Sequence, residues 1–407
     1  MPEAVASVPA GGSARRAGEI PPAGRGRVSK FLIPEVIFGV GSLTEVGGAV
    51  RRVGGRRALL VSDPGVMAAG WVERVLPRLL EAGVEYRLWH DLTPNPKDVE
   101  VEAALDAYEA NGCDVLVAVG GGSCIDTAKA VAILASSGGR ILDYEGVDAV
   151  TRPIPPMVMV PTTGGSGADV TQFCVVTDTK LRRKATIGGR ALVPDISITD
   201  PQLLTTMSPE LTAHTGVDAL SHGIESAVSE AADFLSREHS LAAIREIVEH
   251  LPAAVEDDWN LAAREGTARA SLHAGIAFTN ALLGATHAIS HQIGGALDLA
   301  HGLLNAVLLP VVMRFNAETH ADRYVDVAAA LGVSTRGLSA AEAAEAAVAK
   351  VETLTRRLKI PPGLRELGVN PADFDRYAAG ALRDAYITTN PRPVGKDDVA
   401  RICHAAW

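Results

Sequence analysis

The sequence predicts an α/β domain followed by an almost entirely helical one, and three observations carry that reading. At 407 residues the chain is too long for one small core and fits two domains of roughly 100 to 200 residues each. From about Phe31 to Asp200, short β-rich runs alternate with helical stretches, the pattern of a mostly parallel sheet covered by helices. After Asp200 the strand signals stop, and Ala, Leu, Glu and Arg recur at helical spacing to the end.

Four strands stand out: 58–62, 84–89, 115–119 and 157–160, each a β-rich or apolar run followed by turn residues. Helical patterns at 71–81 and 99–108 lie between them and supply crossovers. Ser208-Pro209-Glu210 opens the helical half well, because Ser caps, Pro suits the first helical position and Glu favours the positive end of the helix dipole. The expected organisation is therefore a flexible tail over 1–28, an α/β domain over 29–207 and a helical domain over 208–407.

Composition narrows the function. Apolar residues at 47% and charged residues at 21% describe a packed globular protein. A net charge of −10 disfavours nucleic acid, whose phosphates must be neutralised by clustered Lys and Arg. Cys113, Cys124, Cys174 and Cys403 are scattered without C-x-x-C spacing, which fits a reducing cytoplasm better than a disulfide framework. No apolar run reaches the roughly eighteen residues of a membrane span, and the first 28 residues lack the apolar centre of a targeting peptide.

Gly120-Gly121-Gly122-Ser123 follows the third strand directly, and Ile125 to Ala130 starts a helix. Glycines let backbone approach a pyrophosphate, and free N–H groups at a helix start point at it; a tight structural turn is the competing reading. Asp63, at the tip of the first strand, is placed either to accept hydrogen bonds from an adenosine ribose, favouring NAD over NADP, or to cap the next helix. Pro161-Thr162-Thr163-Gly164-Gly165-Ser166-Gly167 offers hydroxyls and exposed amides after the fourth strand.

Asp218 and His222 lie four apart in a helical pattern, so both face one side. His287 and His291 repeat the spacing on an expected helix over 281–293, and His301-Gly302 begins the next segment. A single histidine is more often a core or surface residue than a ligand. If Asp218, His222, His287 and His301 converge, however, they surround a divalent cation and leave room for a substrate oxygen. His291 could then stay uncoordinated and relay a proton.

GGGSCIDTAK from Gly120, PTTGGSGADVT from Pro161, GVDALSHGIES from Gly216 and HAISHQIGGALDLAHG from His287 together resemble the iron-containing, or group III, alcohol dehydrogenase family, from about Phe31 to the end. The resemblance implies the dehydroquinate synthase-like fold, with an N-terminal dinucleotide-binding α/β domain, a C-terminal helical domain and the site in the cleft between. It implies NAD-dependent hydride transfer to or from a small alcohol or aldehyde, Fe2+ as the metal with Zn2+ the alternative, and a homodimer or larger homo-oligomer. It carries metal ligation onto Asp218, His222, His287 and His301, a proton-relaying role onto His291, and cofactor contacts onto Asp63, Asn95, Gly121, Gly122, Ser123, Thr162, Thr163 and Lys184. The competing readings are a plain turn asparagine for Asn95 and a solvated charge beside Arg182 and Arg183 for Lys184.

Three positions depart from the family pattern: Asp169 where Glu is usual, and Gln292 and Ala300 where Pro is usual. They are expected to change the walls near the substrate. Thr388 to Pro393 resembles family tails and is expected to seal the helical domain. Two other classes share the pattern: sugar-phosphate cyclases, which need a Lys and Arg cluster near the ligands, and a catalytically silent NAD-binding regulator, which would have a broken ligand set.

Overall fold

The computed structural model describes residues 30–407, so the expected tail over 1–28 lies outside the described residues. Nine strands form among the described residues, β1 (Glu35–Phe38), β2 (Arg57–Val61), β3 (Glu85–Trp89), β4 (Val115–Gly120), β5 (Gly146–Val147), β6 (Met157–Pro161), β7 (Phe173–Asp178), β8 (Arg183–Gly188) and β9 (Ile196–Thr199). The α/β part carries α1 (Val46–Arg52), α2 (Pro64–Ala68), α3 (Trp71–Glu81), α4 (Asp98–Ala110) and α5 (Gly122–Ser137). The rest carries α6 (Pro209–Val228), α7 (Phe234–Glu256), α8 (Leu261–Ala281), α9 (Ala285–Leu297), α10 (His301–His320), α11 (Val325–Ala330), α12 (Ala340–Arg357), α13 (Phe374–Ala381) and α14 (Lys396–Ala405).

Six strands pair in parallel in the order β1-β9-β6-β4-β2-β3. Parallel strands are covered on both faces and read as apolar runs, and β4 is buried at every position. Its alternate side chains feed different cores: Val115, Val117 and Val119 join one apolar cluster, Leu116 and Ala118 the other. Chain order reverses between β2 and β4, so the crevice beyond their carboxyl ends is where ligands of such sheets bind. Asp63 and the Gly121-Gly122-Ser123 turn both stand there.

The four expected strands form to within a residue or so at each end, and the structure adds the edge strand β1, β9 and a small sheet in which β7 and β8 pair antiparallel beside β5. Among the described residues, every regular element after Asp200 is helical. Ser208 caps α6 as expected, its hydroxyl accepting from the Leu211 N–H at 3.1 Å. The helix expected over 281–293 requires correction, because Ala281 ends α8 and a new helix starts at Ala285. Leu282 takes a left-handed φ of 59° at that break. Two distant side chains then hold the start of α9: Glu225 accepts from the Gly284 and Thr286 amides, and Asn390 from the Ala285 amide.

Asn390 also pairs with Asn316 on α10, and the Thr389 hydroxyl donates to the Leu283 carbonyl at 2.7 Å, so the 388–393 segment does seal the helical part. No helix among the described residues is long and apolar enough to cross a membrane.

Candidate active site

A cavity of about 780 Å³ opens at the switch point and extends to the helical part. Asp63, Asn95, Gly121, Gly122, Ser123, Thr162, Thr163, Lys184, Asp218, His222, His287, His291 and His301 all line it, so the structure brings together every residue expected from sequence. That volume lies in the range of ordinary ligand sites.

At the sheet end, α5 begins with no side-chain cap, so its first amides remain free to meet an anion. The Pro161 to Gly167 loop packs so closely over this turn that a Cβ on Gly122 would stand 3.0 Å from the Ser166 Cβ. Asp63 keeps its cap role, accepting from the Val66 amide at 2.9 Å and from the Cys124 thiol at 3.2 Å, and still faces the cavity. Asn95 sits in a left-handed turn and donates to Asp298, 203 residues away, at 2.8 Å. Lys184 is buried rather than solvated, and burial lowers its ammonium to about 8.

A feature that sequence reasoning missed fixes the adjoining wall. The Lys129 ammonium, fully buried, donates to the carbonyls of Ala168, Thr171 and Phe173 at 2.6 to 2.8 Å, tying the 168–173 segment to α5. The lysine of GGGSCIDTAK is thus a strut that satisfies three buried carbonyls.

At the helical end, Asp218 and His222 project from α6, His287 and His291 from α9, and His301 opens α10. Glycine at 302 permits this approach, since a Cβ there would lie 3.1 Å from the Asp218 Cβ and collide with the His214 carbonyl. The Nε2 atoms of His222, His287 and His301 stand 4.0, 3.8 and 3.9 Å from Asp218 Oδ1. Ligand atoms of Asp218, His222 and His287 all lie within 4.8 Å of one another. In a tetrahedral site with bonds of about 2.1 Å, ligand atoms lie about 3.4 Å apart, so the set needs only a small contraction.

Asn305, one turn after His301, points its amide nitrogen between these groups, 2.7 Å from Asp218 Oδ1 and 3.0 and 3.2 Å from the Nε2 atoms of His287 and His301. A donor there supplies partial positive charge where the acceptors converge, which is what a cation would supply fully. Lone pairs aimed at one point are the chemistry of a metal site.

The charges agree. Burial works to raise the Asp218 carboxyl, but His222, His301 and His287 outweigh it and hold it far below its usual range. Burial lowers His222 to about 4 and His301 well below its ordinary value, so both are neutral ligands at pH 7. For His287, burial is outweighed by Asp218 and Glu225, which raise the imidazole to about 9.

Two carboxylates that the sequence reading did not single out orient the imidazoles. Glu225 meets His287 Nδ1 at 2.6 Å, and Asp384 meets His291 Nδ1 at 2.7 Å. Such partners fix the tautomer and leave Nε2 for the site. Glu225 was within reach of pattern reasoning, since it falls seven residues after Asp218 on the same face of α6. Asp384 carries no local signal, because 93 residues separate it from His291.

The expected effect of the three departures needs correction. Only Ala300 lines the cavity. Asp169 is buried and accepts from the Ser197 hydroxyl at 2.7 Å, and Gln292 packs over Gly380.

Comparison with known proteins agrees with this geometry. Residues 34–201 match the family model described as iron-containing alcohol dehydrogenase, and residues 212–407 the C-terminal model of the Fe-containing alcohol dehydrogenase family. The chain is 41% identical over 384 residues to the 1,3-propanediol dehydrogenase of Citrobacter freundii, covering 94% of this chain and 99% of the relative. It is 38% identical to the NAD-dependent methanol dehydrogenase of Bacillus methanolicus, covering 91% and 98% of the two chains. Among solved structures, a 1,3-propanediol oxidoreductase superposes with a TM-score of 0.91 at 40% identity, over 94% of this chain and all of the other (100%).

Proposed function

From the premise that this chain belongs to the iron-containing alcohol dehydrogenase family, and is therefore a metal-dependent, NAD-linked alcohol or aldehyde oxidoreductase, we propose how its own residues divide that work. Asp218, His222, His287 and His301 hold the ion, Fe2+ in the first instance, with Zn2+ suited to the same donors. The approach of all three imidazole Nε2 atoms to within 4.0 Å of Asp218 Oδ1 is the observation that carries the reading. When bound, the metal supplies Lewis-acid polarisation of the substrate oxygen. The reaction is RCH2OH + NAD+ giving RCHO + NADH + H+.

The α5 start, with Gly121, Gly122 and Ser123, receives the pyrophosphate, while Asp63 takes the ribose and repels a 2′-phosphate. Asn95, Thr162, Thr163 and Lys184 complete the cofactor contacts. His291, held by Asp384 through Nδ1, keeps Nε2 for the hydroxyl proton. The functional boundary between cofactor and metal parts falls at Ser208. The enzyme works in the cytoplasm as a homodimer or larger homo-oligomer on small alcohols and aldehydes, without nucleic acid. A sugar-phosphate cyclase is not favoured, because Lys184 is the only Lys or Arg among the described residues lining the cavity.

A panel of small alcohols and aldehydes followed by NADH absorbance, with Fe2+, Zn2+ or chelator added, tests the reading; no metal-dependent NADH from any alcohol would sink it. The wild type is expected to prefer NAD over NADP by at least about tenfold. Asp63→Ser, which retains a capping hydroxyl, is expected to narrow that preference. Equal rates with both cofactors in the wild type would remove the ribose role.

A pH dependence of metal uptake follows from His287. In the metal-free protein its pKa is raised to about 9, so at neutral pH the ion must displace a proton from His287 Nε2, while the two hydrogens of the Asn305 amide serve Asp218 and His301. His222, lowered to about 4, and His301, lowered well below its ordinary value, hold no competing proton there. Affinity should therefore rise with pH, by about tenfold per unit, and level off near pH 9. Chelator competition from pH 6.5 to 9.5 measures this, and a flat profile contradicts it.

A further inference from the structure

Beside the ligand cluster lies a corner of the cavity made by Phe173, Phe278, Leu283 and Tyr386, which pack as one small apolar group. Phe278 stacks on His222 with centroids 4.4 Å apart. The Tyr386 ring stands 6.3 Å from the His287 ring and 5.8 Å from that of His291, and meets Phe173 edge-on at 5.4 Å. A substrate whose reacting oxygen is held by the four ligands and whose proton leaves toward His291 therefore extends its carbon chain into this corner.

Three of these walls are hydrocarbon. Tyr386 brings a hydroxyl to the cavity lining, and that hydroxyl has no hydrogen-bond partner among the described residues. The nearby polar groups are already engaged: Asp384 takes His291 Nδ1 and the Tyr386 amide, and Asp126 takes the Val175 amide.

We infer that Tyr386 is a specificity-determining residue, its unpartnered hydroxyl receiving a second hydroxyl two or three carbons from the reacting one, so that the site selects short diols and hydroxyaldehydes over plain alcohols. The distal group is neutral. Asp384, Asp126 and Glu225 set a negative potential at the phenol, as its raised pKa reflects after the larger effect of burial, and among the described residues no Lys or Arg belongs to this corner. A carboxylate, sulfonate or phosphate tail is thereby disfavoured. Selectivity then comes from completion: a substrate lacking the second hydroxyl forgoes the hydrogen bond that Tyr386 offers.

The inference rests on the proposed alcohol dehydrogenase activity, and the experiment separates the two. Initial rates of NADH formation by the metal-loaded enzyme are compared for 1,3-propanediol, 1-propanol and 3-hydroxypropanoate, in wild type and in Tyr386→Phe. The expected order of kcat/KM in the wild type is diol, then monohydric alcohol, then hydroxy acid. In Tyr386→Phe the diol-to-propanol ratio is expected to fall by about tenfold or more, chiefly through KM for the diol. An unaltered ratio, with both alcohols still oxidised, overturns the role of Tyr386 while leaving the activity in place. A hydroxy acid that outperforms the diol overturns the neutral-tail assignment. NADH from none of the three, or from any other alcohol, overturns the activity itself and this inference with it.

Discussion

His287→Ala is expected to abolish turnover while NAD binds nearly as in the wild type. The imidazole is 1% exposed, lies 3.8 Å from Asp218 Oδ1 and is held from behind by Glu225. Its loss leaves two imidazoles and one carboxylate, and it leaves Glu225 without its imidazole partner. Electrophilic assistance worth several kcal/mol corresponds to about a thousandfold in rate, which sets the expected loss. The cofactor contacts at Asp63 and the start of α5 belong to the sheet end of the cavity and do not touch this residue. Metal content by elemental analysis should fall with activity, whereas NAD affinity by titration calorimetry should change little. A variant that keeps more than a tenth of wild-type activity would take His287 out of the ligand set.

The parallel sheet was readable chiefly because its central strands are buried on both faces. Runs such as Val115 to Val119 carry one continuous apolar signal. The ligand set was readable because Asp218 and His222, and again His287 and His291, repeat a spacing that only a helix brings onto one side. The end of α8 was not readable. Its break at Leu282 depends on Glu225 and Asn390 catching the next amides from 59 and 105 residues away, and the local sequence stays apolar across it. The same reason hid Asp384 and Tyr386, whose roles exist only once the last segment folds back over α9. Lys129 was hidden differently: a lysine in a helix reads as surface charge until the carbonyls that receive it are in place. Tertiary capping and buried polar pairing are thus what the local pattern leaves out, and here they sit directly behind the site.

Glu225→Gln tests that supporting layer, and its effect should appear in metal affinity before it appears in the fold. One carboxylate serves three donors: His287 Nδ1 at 2.6 Å, the Thr286 amide at 2.7 Å and the Gly284 amide at 3.1 Å. A carboxamide of the same shape has only one acceptor oxygen, so its NH2 must face at least one of those donors. If it faces His287, the imidazole turns its other tautomer to the carboxamide and presents N–H where the ion needs a lone pair. If it faces the backbone, the start of α9 loses its cap and both histidines on that helix shift. Either outcome predicts metal affinity reduced by about 10 to 100-fold, the usual effect of losing such a partner. Removing the group altogether in Glu225→Ala leaves two buried amides unpaired and should cost about 3 kcal/mol or more of stability. Chelator competition and thermal melting of the metal-free and metal-loaded proteins distinguish the two variants. Glu225→Gln that binds metal as tightly as the wild type would mean that the orientation of His287 is set by α9 alone, and that the buried carboxylate serves only to start the helix.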